Sequence, residues 1–158
     1  MAAHEAPSLG QPKVNPQWKV AIIRSAWYPE CADALFQSAR DALIRAGLRD
    51  KNIRSVVAPG SFELPLFCSR AIRKLKVHGI IAFGIVIQGE THHARLVAEQ
   101  AAAGIMQVQL LTNVPIAFEV LYVHRMEDAR KRSIGLHSKG PIAAAALLSC
   151  LAKLKEMR

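Results

Sequence analysis

An uninterrupted apolar run, Gly79-Ile80-Ile81-Ala82-Phe83-Gly84-Ile85-Val86-Ile87, lies in the middle of the chain. It is too short to cross a bilayer as a helix. Its richness in β-branched residues makes it a strand, and the lack of any polar alternation means burial on both faces. A strand covered on both sides needs helices above and below it, which restricts the chain to an α/β architecture.

The rest of the chain supplies those layers. Trp18-Lys19-Val20-Ala21-Ile22-Ile23 reads as a first buried strand. Pro29 suits the first turn of a helix. Ala32, Leu35, Phe36, Ala39, Leu43 and Ala46 then follow at helical spacing until Gly47 closes the segment. Ile53 to Val57 is a second strand. Pro59-Gly60 turns the chain, Ser61 is placed to cap the next helix, and Pro65 lies in that helix's first turn. After the central strand, Gly89 breaks the run and Thr91 to Leu111 reads as a long helix. Pro115 to Val123 is the fourth strand, Met126 to Arg132 a short helix, and Pro141 opens a last helix at its first position. The order β-α-β-α-β-α-β-α-α predicts a parallel sheet with right-handed crossovers and helices on both faces. Residues 1–17, with Pro7, Pro12 and Pro16, are expected to form an extended arm, and residues 18–158 a single domain.

Length and composition agree with one core: 158 residues, 51% of them hydrophobic. The start of the chain lacks a basic stretch followed by an apolar block, so no secretory signal is expected. Cys31, Cys68 and Cys150 have no CxxC spacing, which argues against a disulfide framework and a structural zinc site. They read as three core thiols on helices in a reducing, cytoplasmic compartment, with no membrane contact. The net charge of +9 favours acidic partners, either nucleic acid or a phosphorylated metabolite. The basic residues are scattered and no nucleic-acid-binding motif is present, so a solvated surface is preferred over nucleic-acid binding.

Ligands of open parallel sheets bind beyond the carboxyl ends of the strands. The segments to inspect are therefore Ser25–Tyr28, Ala58–Glu63, Gln88–His93 and Tyr122–Arg125. Gly84 to His93 ends a buried strand and starts a helix at once, leaving unpaired N–H groups and a positive dipole end, with the Thr91 hydroxyl beside them. His92 and His93 sit in the first helical turn, where an imidazole can exchange protons near neutral pH. A solvated surface histidine is the plain alternative, but the position at a strand's carboxyl end favours chemistry for one of the two. Glu63, in a first helical turn, either stabilises the dipole or accepts hydrogen bonds from a polyol. Trp27, just past the first strand, is either an ordinary half-buried aromatic or a stacking surface for a flat heterocycle. Arg130, Lys131, Arg132 and Lys139 follow the fourth strand; Arg130 and Lys131 read as a solvated helix face, whereas arginine suits bidentate phosphate binding.

Together, Pro59-Gly60-Ser61-Phe62-Glu63-Leu64-Pro65, Gly84 to His93, and Pro115-Ile116-Ala117-Phe118 with Ser138-Lys139-Gly140 downstream resemble the lumazine synthase family over nearly the whole folded chain. The resemblance implies a three-layer α/β/α sandwich with a four-stranded parallel sheet in the flavodoxin-like order 2-1-3-4. It implies condensation of 5-amino-6-(D-ribitylamino)uracil with 3,4-dihydroxy-2-butanone 4-phosphate to 6,7-dimethyl-8-ribityllumazine, the penultimate step of riboflavin synthesis, with neither metal nor organic cofactor. It also implies residue roles. Trp27 would stack on the pyrimidine, and the backbone of Ile85, Val86 and Ile87 would pair with the uracil edge. Ser61 and Glu63, in the turn with Gly60 and Phe62, would hold the ribityl chain. Glu90 and Thr91 would bind phosphate, and His93 would transfer protons. Phe118, Arg132 and Lys139 would come from the neighbouring subunit of a homo-oligomer, a pentamer or a face-to-face decamer, and the arm from Gln11 to Gln17 would add a strand to a neighbour's sheet and strengthen the ring. Gln88 stands where Arg is common, Tyr28 replaces a usual Asn, and Glu119 replaces a usual Gly, departures that resemble a divergent bacterial branch with tryptophan at the stacking position.

Three other readings differ in class. A related synthase would take lumazine itself as substrate, and the Gly-Glu-Thr-His-His block favours the first reaction instead. A flavin- or lumazine-binding oligomeric scaffold with weakened catalysis would bind tightly without turnover. A nucleic-acid-binding protein would rest on charge alone.

Overall fold

The structure is a computed structural model that describes residues 11–157. Four parallel strands, β1 (Val20–Ser25), β2 (Ile53–Ala58), β3 (Gly79–Ile87) and β4 (Ile116–Val123), lie in the order β2-β1-β3-β4, as expected. Five helices complete the fold: α1 (Pro29–Arg45), α2 (Leu64–Leu75), α3 (His93–Thr112), α4 (Met126–Ser133) and α5 (Lys139–Glu156). The period-2 pleat of the strands sorts their side chains onto two faces. Val20, Ile22, Ile81, Phe83, Ile85, Leu121 and Val123 pack in one core with Leu35, Leu43, Ala143 and Leu147 of α1 and α5. Ala21, Ile23, Ile80, Ala82, Val86, Ile116 and Val120 pack in a second core with Leu64, Cys68 and Ile105 of α2 and α3. The central position of β3 explains its unbroken apolarity: both faces meet helices.

The element ends show which local signals were read correctly. Gly47, at φ 106°, closes α1 with the paired bonds of a Schellman turn, Gly47 N–H to Ile44 C=O at 2.9 Å and Leu48 N–H to Leu43 C=O at 3.0 Å. Ser61 does not cap a helix. It begins a 3₁₀ turn, Ser61–Glu63, which delays α2 until Leu64. Pro141 is not the first residue of α5; the helix starts at Lys139, and the Ser138 hydroxyl caps it by accepting from Gly140 N–H at 3.2 Å. The helix expected from Thr91 begins at His93. Cys31 and Cys68 are buried in α1 and α2, and burial pushes the Cys68 thiol up to about 12. Cys150 is exposed on α5 rather than part of the core.

Part of the expected arm, residues 1–10, lies outside the described residues. Residues 11–17 form no strand; Val14 packs on the α1–α5 core and Asn52 donates to the Pro16 carbonyl at 3.0 Å. No single helix among the described residues is long and apolar enough to cross a membrane.

Candidate active site

β1 and β3 stop pairing at Arg24 and Phe83, yet β3 runs on to Ile87 beside β4. Beyond Phe83, the edge of β3 that faced β1 therefore has no ladder partner. Backbone N–H and C=O groups in that situation seek other partners. Next to this edge lies a cavity of about 510 Å³, lined by Trp27, Tyr28, Gly60, Ser61, Phe62, Glu63, Ile85, Val86, Ile87 and His93, with Ala94, Leu96, Val97 and Gln100 of α3. It is at the carboxyl ends of β1, β2 and β3, where the topology predicts a ligand, and its volume suits a small metabolite.

Each wall has a local cause. Ala26 N–H donates to the Ala58 carbonyl at 2.8 Å, tying the loop after β1 to the end of β2. Tyr28 adopts φ 55° immediately before Pro29, a left-handed conformation that costs a non-glycine residue about 1–3 kcal/mol. This turn leaves Trp27 63% exposed at the cavity mouth, with Phe62 exposed on the opposite loop. Gly60 lies where the two loops meet: a Cβ there would stand 2.8 Å from Glu63 Oε2 and 3.5 Å from Trp27 Nε1, so a side chain would push the Glu63 carboxylate aside. Gly84 serves the floor in the same way: a Cβ would fall 2.6 Å from Ser61 Oγ and 3.1 Å from Leu64 Cδ1. Ser61 is consequently buried against β3, and its hydroxyl has no hydrogen-bond partner among the described residues. Such a group costs about 1–3 kcal/mol, and a bound hydroxyl or carbonyl would relieve it.

His93 is the first residue of α3, exposed toward the cavity, and its N–H donates to Thr91 Oγ1 at 3.4 Å. Glu90 and Thr91 lie in the exposed turn leading into α3 and are not part of the cavity wall. Phe118, Arg132 and Lys139 are also not brought to it. Phe118 is 42% exposed on the edge strand β4, and Arg132 is exposed in the last turn of α4, its Nη1 donating to the Asp128 carbonyl at 3.0 Å. Lys139 is the first residue of α5, where no acid shares its turn and the helix dipole opposes its charge. It acts on Glu119 of β4: burial pushes that carboxyl up and Lys139 pulls it down. The cavity wall itself contains no Lys or Arg.

Sequence reading missed the α3 wall. Ala94, Leu96, Val97 and Gln100 continue from His93 at helical spacing, and that periodicity was available once His93 had been placed on the helix. A tie between Gln88 and Tyr122, from β4, was also missed: the Tyr122 hydroxyl donates to Gln88 Oε1, while Gln88 Nε2 donates to Gly89 and Thr91 carbonyls at 2.9 and 3.2 Å.

Comparison with known proteins gives the site a context. The model of the family described as 6,7-dimethyl-8-ribityllumazine synthase matches residues 17–155. A protein of that name from Xanthomonas oryzae pv. oryzae (strain PXO99A) is 39% identical over 143 residues, covering 90% of this chain and 92% of its own. One from Xanthomonas campestris pv. campestris (strain B100) is 40% identical over 140 residues, 88% of this chain and 90% of its own. One from Stenotrophomonas maltophilia (strain K279a) is 37% identical with the same two coverages.

Proposed function

Since the chain belongs to the 6,7-dimethyl-8-ribityllumazine synthase family, we infer that it condenses 5-amino-6-(D-ribitylamino)uracil with 3,4-dihydroxy-2-butanone 4-phosphate, releasing inorganic phosphate and water. It is a transferase of riboflavin biosynthesis. The observation that carries this reading is the bare edge of β3 in one cavity with Trp27, the partnerless Ser61 hydroxyl and His93. The pyrimidine edge pairs with the backbone of Ile85 to Ile87, and Trp27 stacks on its ring. Ser61 and Glu63 take ribityl hydroxyls, with Gly60 and Phe62 shaping their turn.

The ring amine attacks the ketone and an imine forms with loss of water. A proton is lost and phosphate leaves; the enol that results becomes a carbonyl, which the second nitrogen attacks, closing the ring with loss of a second water. No step needs an enzyme nucleophile. Holding two reactants in register supplies about 7–11 kcal/mol in favourable cases, and His93 moves protons at the reacting carbon. The phosphoryl group sits against the turn of Glu90 and Thr91, where the first N–H groups of α3 have no carbonyl partner within the helix.

That phosphoryl group carries negative charge, and the cavity wall has no Lys or Arg to balance it. The reading is therefore of a homo-oligomer, a pentamer or decamer, in which a neighbour brings Arg132 to the phosphate, Lys139 to the heterocycle and Phe118 to the site's rim. The exposure of Phe118 and Arg132, both away from the cavity, supports this. A cytoplasmic setting accords with three free thiols, Cys31, Cys68 and Cys150.

The test is an assay of the purified protein with both substrates, following lumazine and phosphate together. Equimolar appearance is expected. Tight lumazine binding without turnover would instead establish the scaffold reading, and turnover of lumazine alone the related synthase.

A further inference from the structure

The turn from Gly89 to His93 precedes the helical ladder of α3, and packing does not hold it: a Cβ on Gly89 would meet nothing within 4 Å. One side chain does. Gln88 Nε2 donates to the carbonyls of Gly89 and Thr91, and Gln88 Oε1 accepts from the Tyr122 hydroxyl. The two carbonyls accept only from the NH₂ end, and the phenol supplies a hydrogen to the other, so the amide's orientation follows from its partners. The backbone is fixed at the same place, Gln88 N–H donating to the Val123 carbonyl at 2.8 Å. Thr91, oriented through its carbonyl, then accepts from His93 N–H through its hydroxyl. Tyr122 of β4 is thus linked to the start of α3 through Gln88.

We propose that Gln88 and Tyr122 are positioning residues, which hold the Gly89–His93 turn in the shape that receives the phosphoryl group of the butanone substrate. The inference rests on the reading that Glu90 and Thr91 face that group. Neither Gln88 nor Tyr122 lines the cavity, so both act through the turn. Gln88 is suited to this in a way that arginine is not, because arginine has donors for the two carbonyls but no acceptor for the phenol.

The experiment uses the intact oligomeric enzyme and inorganic phosphate as a competitive inhibitor against the phosphorylated substrate. Tyr122→Phe removes one oxygen atom, Gln88→Met removes the amide at similar size, and the double variant combines them. Tyr122→Phe is expected to raise the phosphate inhibition constant and the KM of the phosphorylated substrate about five-fold, the effect of one lost hydrogen bond, and Gln88→Met, which loses all three bonds of the amide, by at least as much. The KM of the pyrimidine substrate stays put. Because Tyr122 acts through Gln88, the double variant should match Gln88→Met rather than multiply the two effects. A merely structural role would move both KM values with the melting temperature and give additive losses, which overturns the proposal. Thr91→Val separates the underlying reading: if it weakens phosphate while Tyr122→Phe does not, the phosphate site stands and the positioning role falls. If Thr91→Val leaves phosphate inhibition unchanged, the site reading fails and takes the positioning role with it.

Discussion

Ser61 carries a hydroxyl that folding hides from water without giving it a partner. Its replacement therefore acts oppositely on two properties. Ser61→Ala should leave the unliganded protein as stable or more so, by up to about 1 kcal/mol. The KM of the pyrimidine substrate should rise several-fold in steady-state assays. His93→Ala is the complementary case: kcat falls about 10²–10⁴-fold while substrate binding is kept. An unchanged kcat would remove the imidazole from proton transfer. Glu119 is a third case, legible only through its surroundings. Burial raises its carboxyl above the ordinary value despite Lys139. The folded state thus holds the proton more tightly than the unfolded chain, so this group's contribution is fully present below about pH 4 and is lost as pH rises through the raised folded value. Thermal melts of Glu119→Gln and the parent should diverge in the variant's favour as pH climbs from that value toward neutrality. Lys139→Met, which removes the opposing cation, should extend the parent's decline to higher pH.

At the level of elements, β3 was the easiest to read and the most consequential. Its apolar run announced a strand covered on both faces, and the alternation around it predicted a parallel sheet; the strand order that the structure shows was implied by the family resemblance. Gly47 and Pro29 marked the ends of α1 because their backbone preferences are intrinsic and local. Ser61, Pro141 and Thr91 misplaced helix starts for the opposite reason. A cap depends on where the chain next bonds, and here Ser138, a 3₁₀ turn and the Gln88 amide decided that. The cavity's loops were legible from topology, whereas the α3 wall and the Gln88–Tyr122 tie needed side chains from distant positions brought together by folding. Gly84 shows how tightly the sheet and the loop are coupled. Gly84→Ala would drive a methyl group into Ser61 and Leu64, and overpacking of this kind costs typically about 1–3 kcal/mol. The expected result is a lower melting temperature together with weaker pyrimidine binding. A variant that loses stability but keeps its pyrimidine KM would show that Ser61 does not need its place against β3.

The whole molecule is larger than one chain if Arg132 reaches a neighbour's phosphate. His93→Ala and Arg132→Ala would then damage different halves of a shared site. Co-refolding the two inactive variants in equal amounts should restore activity to about a quarter of the sites, since random assembly pairs intact halves that often. No recovery would place both residues in the same subunit's site. Within the chain, the shortness of β1 relative to β3 has a consequence of its own. A substrate read by main-chain amides is read by atoms that every amino acid possesses. Most substitutions along Ile85 to Ile87 would leave the hydrogen-bonding alphabet intact; only proline would erase a letter. On the proposed reading, recognition of the base would be insulated from genetic drift, and lineages would be free to vary the hydrocarbon behind it, while the ribityl end, held by side chains, would carry the mutational risk.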